Sequence, residues 1–344
     1  MNLIKPQKLK KGDTVAAVSL SWGGAGDNDL LWRYELGKKR LHDVFGLNII
    51  EMPNTLKGSE YLYHHPEARA QDLTDAFKNP GIKAIFSCIG GDDSIRMLPY
   101  IGFDVIKDNP KIFLGYSDST ITHFICYKAG LSSFYGASVL AEFAENIEIY
   151  DYTKKYIEKV LFGSEPAGKV YNASEWTGER IDWTQANTNK AKLLQKNNGY
   201  EFLQGKGKVS GQLIGGCIDV LEMMKGTSLW PDIGTFENAV LFFETSEDMP
   251  EPALVKYWLR NYGSQHILQK VKGMIWGKPY QEKYYDEYKT VIKTVIGELN
   301  LHELPIIYNM SFGHNEPMMC LPYGALAEID CTGQTFSILE SGVV

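Results

Sequence analysis

Short apolar segments alternate with segments of helical periodicity along the first half of the chain. Apolar runs that predict buried strands lie at 14–20, 47–52, 82–88 and 112–114. Between them, 30–44 and 66–78 repeat apolar residues every three to four positions, which predicts helices. Strands that alternate with helices form parallel sheets covered on both faces. We therefore predict an α/β fold.

The second half of the chain shows the same alternation after a change in composition. With 344 residues the chain is long for one core, and the Gly- and Pro-containing segment 163–168 marks a boundary. We predict an N-terminal domain over 1–165, a linker and loop over 166–204, and a C-terminal domain over 205–344. The last of these carries predicted strands at 239–243 and 305–309 and ends in a pair of β-strands.

The segment 112–130 has the pattern of a strand, a sharp turn and a helix, with Ser117 on the turn. A serine at this position is presented to solvent above the positive end of the helix dipole, where an oxyanion is stabilised. The alternative is structural, because Ser, Asp and Thr are also the preferred helix caps. The segment alone leaves both interpretations open.

Other loops leave the carboxyl ends of predicted strands and can converge with Ser117 on one crevice. The loop 21–26 is rich in glycine, but its spacing fits no phosphate-binding motif, and we expect it to line a substrate. Gly90 and Gly91 allow close backbone approach and leave N–H groups free to donate. We therefore expect Gly90 and the neighbouring Asp92 to contact substrate.

A nucleophilic serine needs a base, and the base needs a carboxylate. His314 follows a predicted strand in a glycine-containing loop, where an imidazole can be presented, although a lone loop histidine is often only solvated. His123 lies too far along the predicted helix to reach Ser117. Glu244 follows five apolar residues, so it is expected to be half-buried and to need a partner. We predict Ser117, His314 and Glu244 as a catalytic set.

The polar stretch 171–192 contains Trp176 and Trp183. Tryptophans in such a segment are typical of a lid whose rings stack on a ligand. They can equally be hydrophobic anchors that hold the loop down. We predict both tryptophans as substrate contacts.

Composition narrows the class of partner. A formal charge of −7, with acidic and basic residues interspersed, indicates neither a nucleic-acid surface nor an anionic membrane partner. Apolar runs long enough to span a bilayer are absent from the sequence. Five widely spaced cysteines fit reduced thiols in the cytoplasm, and no zinc pattern is present. We expect a small-molecule partner, with no metal or cofactor.

Four motifs together resemble the LD-carboxypeptidase family of serine peptidases: Gly115-Tyr116-Ser117-Asp118, Gly90-Gly91, Phe243-Glu244 and Phe312-Gly313-His314. The resemblance implies a flavodoxin-like N-terminal domain, a mixed α/β C-terminal domain and an active site in the cleft between them. It also implies Ser117 as nucleophile, His314 as general base, Glu244 as its partner, the Gly91 and Asp118 N–H groups as oxyanion hole, and a homodimer.

Two branches of this family differ in substrate. One removes the terminal D-alanine from murein tetrapeptides, and the other, the microcin C immunity branch, cleaves a peptide or aminoacyl group from a modified adenylate. The tryptophan-containing insertion and the chain length resemble the second branch, whereas Cys217 departs from the expected Gly-Gly-Asn-Leu. The alternative from another class is a non-catalytic binding protein. Serine at the elbow disfavours a class I amidotransferase, whose chemistry needs cysteine.

Overall fold

The computed structural model describes residues 3–344, which form two large β-sheets with helices around them. The strands are β1 Thr14–Val18, β2 Asn48–Glu51, β3 Ile82–Ser87, β4 Ile112–Gly115, β5 Phe134–Tyr135, β6 Gly168–Val170, β7 Glu175–Trp176, β8 Gln195–Lys196, β9 Glu201–Gln204, β10 Lys208–Cys217, β11 Val240–Glu244, β12 Gly273–Gly277, β13 Ile306–Met310, β14 Leu321–Pro322, β15 Leu326–Asp330 and β16 Thr335–Ile338.

The α-helices connect these strands. They are α1 Leu31–Phe45, α2 Ser59–His64, α3 Pro66–Lys78, α4 Phe103–Asp108, α5 Thr120–Lys128, α6 Asp151–Ile157, α7 Ile218–Met224, α8 Pro252–Ser264 and α9 Tyr285–Glu298. Pro66 and Pro252 open α3 and α8, where a missing N–H costs nothing, and Gly46 ends α1 in the left-handed conformation. Within residues 3–344 no helix has the length and apolar content needed to cross a bilayer.

The N-terminal sheet has the strand order β14-β5-β4-β3-β1-β2. Strands β1 to β5 are parallel to their neighbours, and their order 2-1-3-4-5 is the flavodoxin-like one. Strand β14 comes from the C-terminal part of the chain and adds antiparallel to β5. The first domain is therefore completed by residues far away in sequence.

The second sheet has the order β6-β16-β15-β10-β11-β12-β13-β9. Its central strands β10 to β13 are parallel and fully buried near their carboxyl ends, as strands covered on both faces require. The outer strands pair antiparallel. This arrangement confirms the predicted mixed α/β architecture.

Three details of the structure are not evident from the local sequence pattern. Strand β5 is an inner strand of its sheet, because β14 pairs outside it. The segment Ser94–Tyr100, which contains Pro99, is a 3₁₀ segment. Strands β6 and β9, from the region predicted as linker, pair at the two ends of the second sheet.

The two sheets approach one another where β10 passes the start of α5. The Thr120 hydroxyl donates to the Ser117 carbonyl at 2.7 Å and accepts from the Cys217 N–H at 3.2 Å. Gly216, at φ +143°, packs against this threonine so closely that a Cβ would lie 2.5 Å from Thr120 Cγ2. Glycine at 216 therefore sets the distance between the two halves of the molecule.

Gly216→Ala should lower the free energy of unfolding by about 2–3 kcal/mol, since overpacking a filled contact carries a cost of that order. The clash also displaces Thr120, and with it the Ser117 carbonyl, so the reactivity of Ser117 should fall. Gly234→Ala is the matched control, because a Cβ there meets nothing within 4 Å. The urea unfolding midpoints of both variants check this, and equal midpoints would contradict the packing argument.

Candidate active site

Ser117 lies on a sharp turn between β4 and α5, the first residue of the short 3₁₀ segment Ser117–Ser119. Its φ of +59° places a residue that has a side chain in the left-handed region. Such backbone strain costs of order 1–3 kcal/mol and persists only where the surroundings fix it. The turn presents the Ser117 hydroxyl at the carboxyl edge of the N-terminal sheet, as in a nucleophile elbow.

His314 and Glu244 reach Ser117 from the other sheet. Glu244 is the last residue of β11, and His314 lies in the loop that follows β13. His314 Nε2 is 3.0 Å from the Ser117 hydroxyl oxygen, and His314 Nδ1 is 2.7 Å from Glu244 Oε2. The structure thus brings the three side chains that the sequence singled out into one continuous hydrogen-bonded series.

Gly313 makes the approach of His314 to Glu244 sterically feasible. Its φ is +97°, and a Cβ at this position would lie 2.8 Å from Glu244 Cβ and Oε2. The glycine before the histidine therefore allows the loop to fold directly over the carboxylate.

Tyr135 also contacts this group, although sequence reasoning did not identify it. Its hydroxyl donates to Glu244 Oε1 at 2.5 Å and accepts from the Ser117 N–H at 3.1 Å. These partners are 109 and 18 residues away in sequence, so no local motif reveals them. The available signal was a tyrosine in a buried strand, which needs a partner for its hydroxyl.

The Gly90-Gly91 turn packs directly over the nucleophile. A Cβ on Gly90 would lie 2.9 Å from Ser117 Cβ, and one on Gly91 would lie 2.2 Å from the Ser21 hydroxyl oxygen. The N–H groups of Gly91 and Asp118 take part in none of the hydrogen bonds among residues 3–344. They are consequently available to donate to a ligand held at Ser117.

A buried polar network fixes this turn against the elbow. Asp118 Oδ2 accepts the Ser94 N–H at 2.9 Å, and the Ser94 hydroxyl donates to the Asp118 carbonyl at 3.0 Å. Behind it, the fully buried Arg69 donates to both carboxylate oxygens of Asp93 and to the Ser21 carbonyl. The loops after β1, β3 and β4 therefore have a fixed relative position.

The electrostatic surroundings of His314 favour its protonated form. Burial by itself lowers the pKa of His314, but the charge of Glu244 and its hydrogen bond, with smaller contributions from Asp219 and Glu142, raise that pKa above its ordinary value. His123, in contrast, is fully buried between Ser133 and the Gly115 carbonyl, and burial lowers its pKa to about 3. It is a neutral core histidine.

Ser117 and His314 open into a cavity of about 330 Å³ between the two sheets. Of the residues proposed from sequence to contact a ligand, Gly90, Gly91, Asp92 and Trp183 line this cavity. Further lining residues that the sequence did not single out include Arg33, Tyr116, Glu142, Lys192 and Glu316.

Trp183 and Trp176 have different environments. Trp183 lines the cavity, and the Arg33 guanidinium lies 4.3 Å from its ring centroid in a cation–π contact that holds the ring. Trp176 is 5 % exposed, lies under the Lys278 ammonium at 4.1 Å and does not line the cavity. The expectation that Trp176 contacts substrate is therefore corrected, because β7 buries it as an anchor of the loop.

The insertion that carries both tryptophans is attached to the loop of His314. Thr177 and Glu316 exchange backbone hydrogen bonds at 2.7 and 3.0 Å, and the half-buried Lys192 bridges Glu145 and Glu316. Burial, together with the charges of Glu145 and Glu142, raises the pKa of Glu316 to about 8 despite Lys192. Two independent contacts thus join the insertion to a residue two positions after the predicted base.

Within residues 3–344, the His, Cys, Asp and Glu side chains form no group of three or more that could hold a metal ion.

Comparisons with known proteins identify a family that is similar over most of the chain. Models of the LD-carboxypeptidase N-terminal and C-terminal domains match residues 15–136 and 210–329. The Escherichia coli microcin C7 self-immunity protein MccF is 30 % identical over 297 residues, which are 86 % of this chain and 85 % of that protein. A probable murein peptide carboxypeptidase of Bacillus subtilis is 24 % identical over 98 % of this chain and 95 % of its own.

Solved structures are similar over almost their entire length. An MccF-like protein from Streptococcus pneumoniae, in complex with AMP, superimposes with a TM-score of 0.88 at 33 % identity and covers 95 % of this chain and 98 % of that one. MccF in complex with aspartyl sulfamoyl adenosine gives a TM-score of 0.84 at 28 % identity, with 99 % and 100 % covered.

The pH dependence of Ser117 labelling by a fluorophosphonate follows from the His314–Glu244 contact. Only neutral His314 can accept the serine proton, so labelling should rise with pH, with a midpoint above the ordinary histidine value of about 6.5. In Glu244→Gln the carboxylate charge is lost, so the midpoint should move to lower pH and the maximal rate should fall roughly 10²- to 10⁴-fold. Intact-protein mass spectrometry against pH measures both quantities.

The exposed Glu287→Gln on α9 is the matched control and should behave like the unmodified protein. A midpoint that rises in Glu244→Gln would contradict the assigned role of the carboxylate.

Proposed function

The chain belongs to the LD-carboxypeptidase family of serine peptidases, and we propose that it hydrolyses an amide through Ser117, His314 and Glu244. The observation that carries this proposal is the pair of contacts of 3.0 and 2.7 Å that links the Ser117 hydroxyl, the imidazole and the carboxylate. Each group stands at hydrogen-bond distance from the atom with which it would exchange or share a proton.

In the acylation step, His314 Nε2 accepts the hydroxyl proton while Ser117 Oγ attacks the carbonyl carbon. The negative charge that develops on the carbonyl oxygen is placed between the N–H groups of Gly91 and Asp118. Glu244 stabilises the imidazolium and fixes its orientation through Nδ1. The C–N bond then breaks as His314 returns the proton to the leaving nitrogen.

In the deacylation step, His314 acts a second time. Water loses a proton to Nε2 and attacks the ester carbonyl, the same two N–H groups hold the oxyanion, and Ser117 leaves with the proton from the imidazolium. The acyl product is released as a carboxylic acid. The cycle consumes one water and needs no cofactor.

An aminoacyl or peptidyl nucleotide analogue is the substrate class that the cavity supports best. The cavity extends from Ser117 to Trp183, whose ring offers a surface for a nucleobase. The similar MccF structures hold AMP or aminoacyl sulfamoyl nucleosides, which supports the same class here. A murein tetrapeptide is the alternative amide substrate, as in the name of the Bacillus subtilis relative. The homodimer and the cytoplasmic location remain predictions from the sequence.

Ser117→Ala should abolish turnover, with a loss of at least roughly 10⁴-fold, while the fold is retained. The substrates are sulfamoyl adenosines with different aminoacyl groups and a murein tetrapeptide, and mass spectrometry of the products identifies which amide is cleaved. Ser164→Ala, at an exposed serine, is the control and should keep full activity. Tight ligand binding by the unmodified protein without turnover or fluorophosphonate labelling would instead indicate a non-catalytic binding protein.

Trp183→Leu should raise KM for aminoacyl sulfamoyl adenosine about tenfold or more, because loss of stacking on a base costs about 1–3 kcal/mol. Turnover of a murein tetrapeptide, which has no base, should change little. Trp258→Leu is the control, since Trp258 is partly exposed on α8 and does not line the cavity. An equal rise in KM for both substrates would contradict a nucleobase site at Trp183.

A further inference from the structure

Tyr135 lies beside the nucleophile turn in the neighbouring strand. In the register of the N-terminal sheet, Tyr135 is the partner of Gly115, two residues before Ser117. Its side chain is 1 % exposed, and its hydroxyl contacts both Glu244 Oε1 and the Ser117 N–H. Tyr135 therefore contacts both Ser117 and Glu244, although it is not one of the three predicted catalytic residues.

The hydrogen-bond directions of this phenol are fixed by its partners. An ionised carboxylate can only accept, so the Tyr135 proton must point to Glu244. The lone pair that remains on the phenol oxygen then accepts the Ser117 N–H. Burial, together with the charge of Glu244, raises the pKa of Tyr135 well above its ordinary value, so the phenol stays a donor throughout the working pH range.

Two consequences follow for the catalytic set. Because Tyr135 occupies Oε1, the carboxylate is held with Oε2 directed at His314 Nδ1. Because the Ser117 N–H is engaged, it is not available to an oxyanion, which leaves the N–H groups of Gly91 and Asp118 for that role. The same contact also stabilises the strained left-handed conformation of Ser117.

We propose that Tyr135 is a positioning residue for catalysis: one hydroxyl orients Glu244 and holds the Ser117 turn, so that base and nucleophile are aligned before substrate arrives. This inference rests on the proposed function. It adds a fourth side chain to the reaction machinery without contact to the reacting atoms.

The pH midpoint of Ser117 labelling depends on the titratable groups that surround Tyr135 and His314. The rings of His123, Tyr116 and Phe242 pack against Tyr135, and the charges nearest to His314 are Glu244, Asp219 and Glu142. His123 is neutral, so it adds no charge. Loss of the Tyr135 hydroxyl therefore changes one interaction of the ionised Glu244 and leaves the other charges in place.

Tyr135→Phe tests the proposal through fluorophosphonate labelling of Ser117. Loss of the donor should reduce the maximal labelling rate about 10- to 100-fold, the range expected for a hydrogen bond to a charged group. It should also move the pH midpoint upward. Glu244 then lacks one hydrogen-bond donor, so its negative charge is less dispersed and stabilises protonated His314 more strongly. This direction is opposite to that expected for Glu244→Gln.

Tyr323→Phe is the matched control. Tyr323 is equally buried in the same aromatic cluster, and its hydroxyl donates to the Gly215 carbonyl at 2.7 Å without contact to Ser117, His314 or Glu244. It should lose similar stability in urea unfolding but keep the pH midpoint of the unmodified protein. When Tyr135→Phe is combined with Glu244→Gln, the pH midpoint should equal that of Glu244→Gln alone.

The outcomes separate this inference from the proposed function. Absence of labelling in the unmodified protein would overturn the function itself. Normal labelling there, with the same rate and midpoint in Tyr135→Phe, would overturn only the role of Tyr135, as would equal behaviour of Tyr135→Phe and Tyr323→Phe. If Tyr135→Phe does not fold, fluorotyrosine incorporated at 135 keeps the ring and is a stronger donor, and the midpoint should then move to lower pH.

Discussion

The burial of the Glu244 charge is the constraint on which the site depends. This carboxylate is 1 % exposed, and a buried charge is tolerated only when its oxygens are satisfied by donors. The structure supplies one donor to each oxygen, His314 to Oε2 and Tyr135 to Oε1. The two donors come from different sheets, so satisfying this single charge requires the two halves of the molecule to be brought together correctly.

Ordinary parallel sheets are enough to bring Ser117 and Glu244 close together. Ser117 follows β4 and Glu244 ends β11, so both lie at carboxyl edges of parallel strands, where loops and ligands meet in α/β folds. The two carboxyl edges face each other across the cavity, and Gly216 allows the close approach at Thr120. The geometry of the Ser117, His314 and Glu244 side chains is thus a property of the contact between two ordinary sheets.

Sequence reasoning found the parts of this site that have a local signature. A strand followed by a turn identified Ser117, a run of apolar residues before an acid identified Glu244, and a glycine-flanked loop identified His314. Tyr135 has no such signature, because its role comes from partners that the fold supplies. Trp176 was misassigned for the same reason, since its burial under Lys278 is a tertiary contact. The local sequence pattern likewise did not predict that β14 pairs with the first sheet.

The insertion that carries Trp183 is attached to both halves of the molecule. Trp183 is held by Arg33, a residue of the N-terminal domain, whereas Thr177 and Lys192 attach the same insertion to Glu316. Since Glu316 lies two residues after His314, the insertion that carries Trp183 is attached to the segment that holds the imidazole. Lys192 lies between Glu145 and Glu316 and donates a hydrogen bond to each, so the insertion is held at this point by polar contacts that are largely shielded from water. The cavity residue Trp183 and the imidazole of His314 thus belong to two segments that are attached to each other through Glu316.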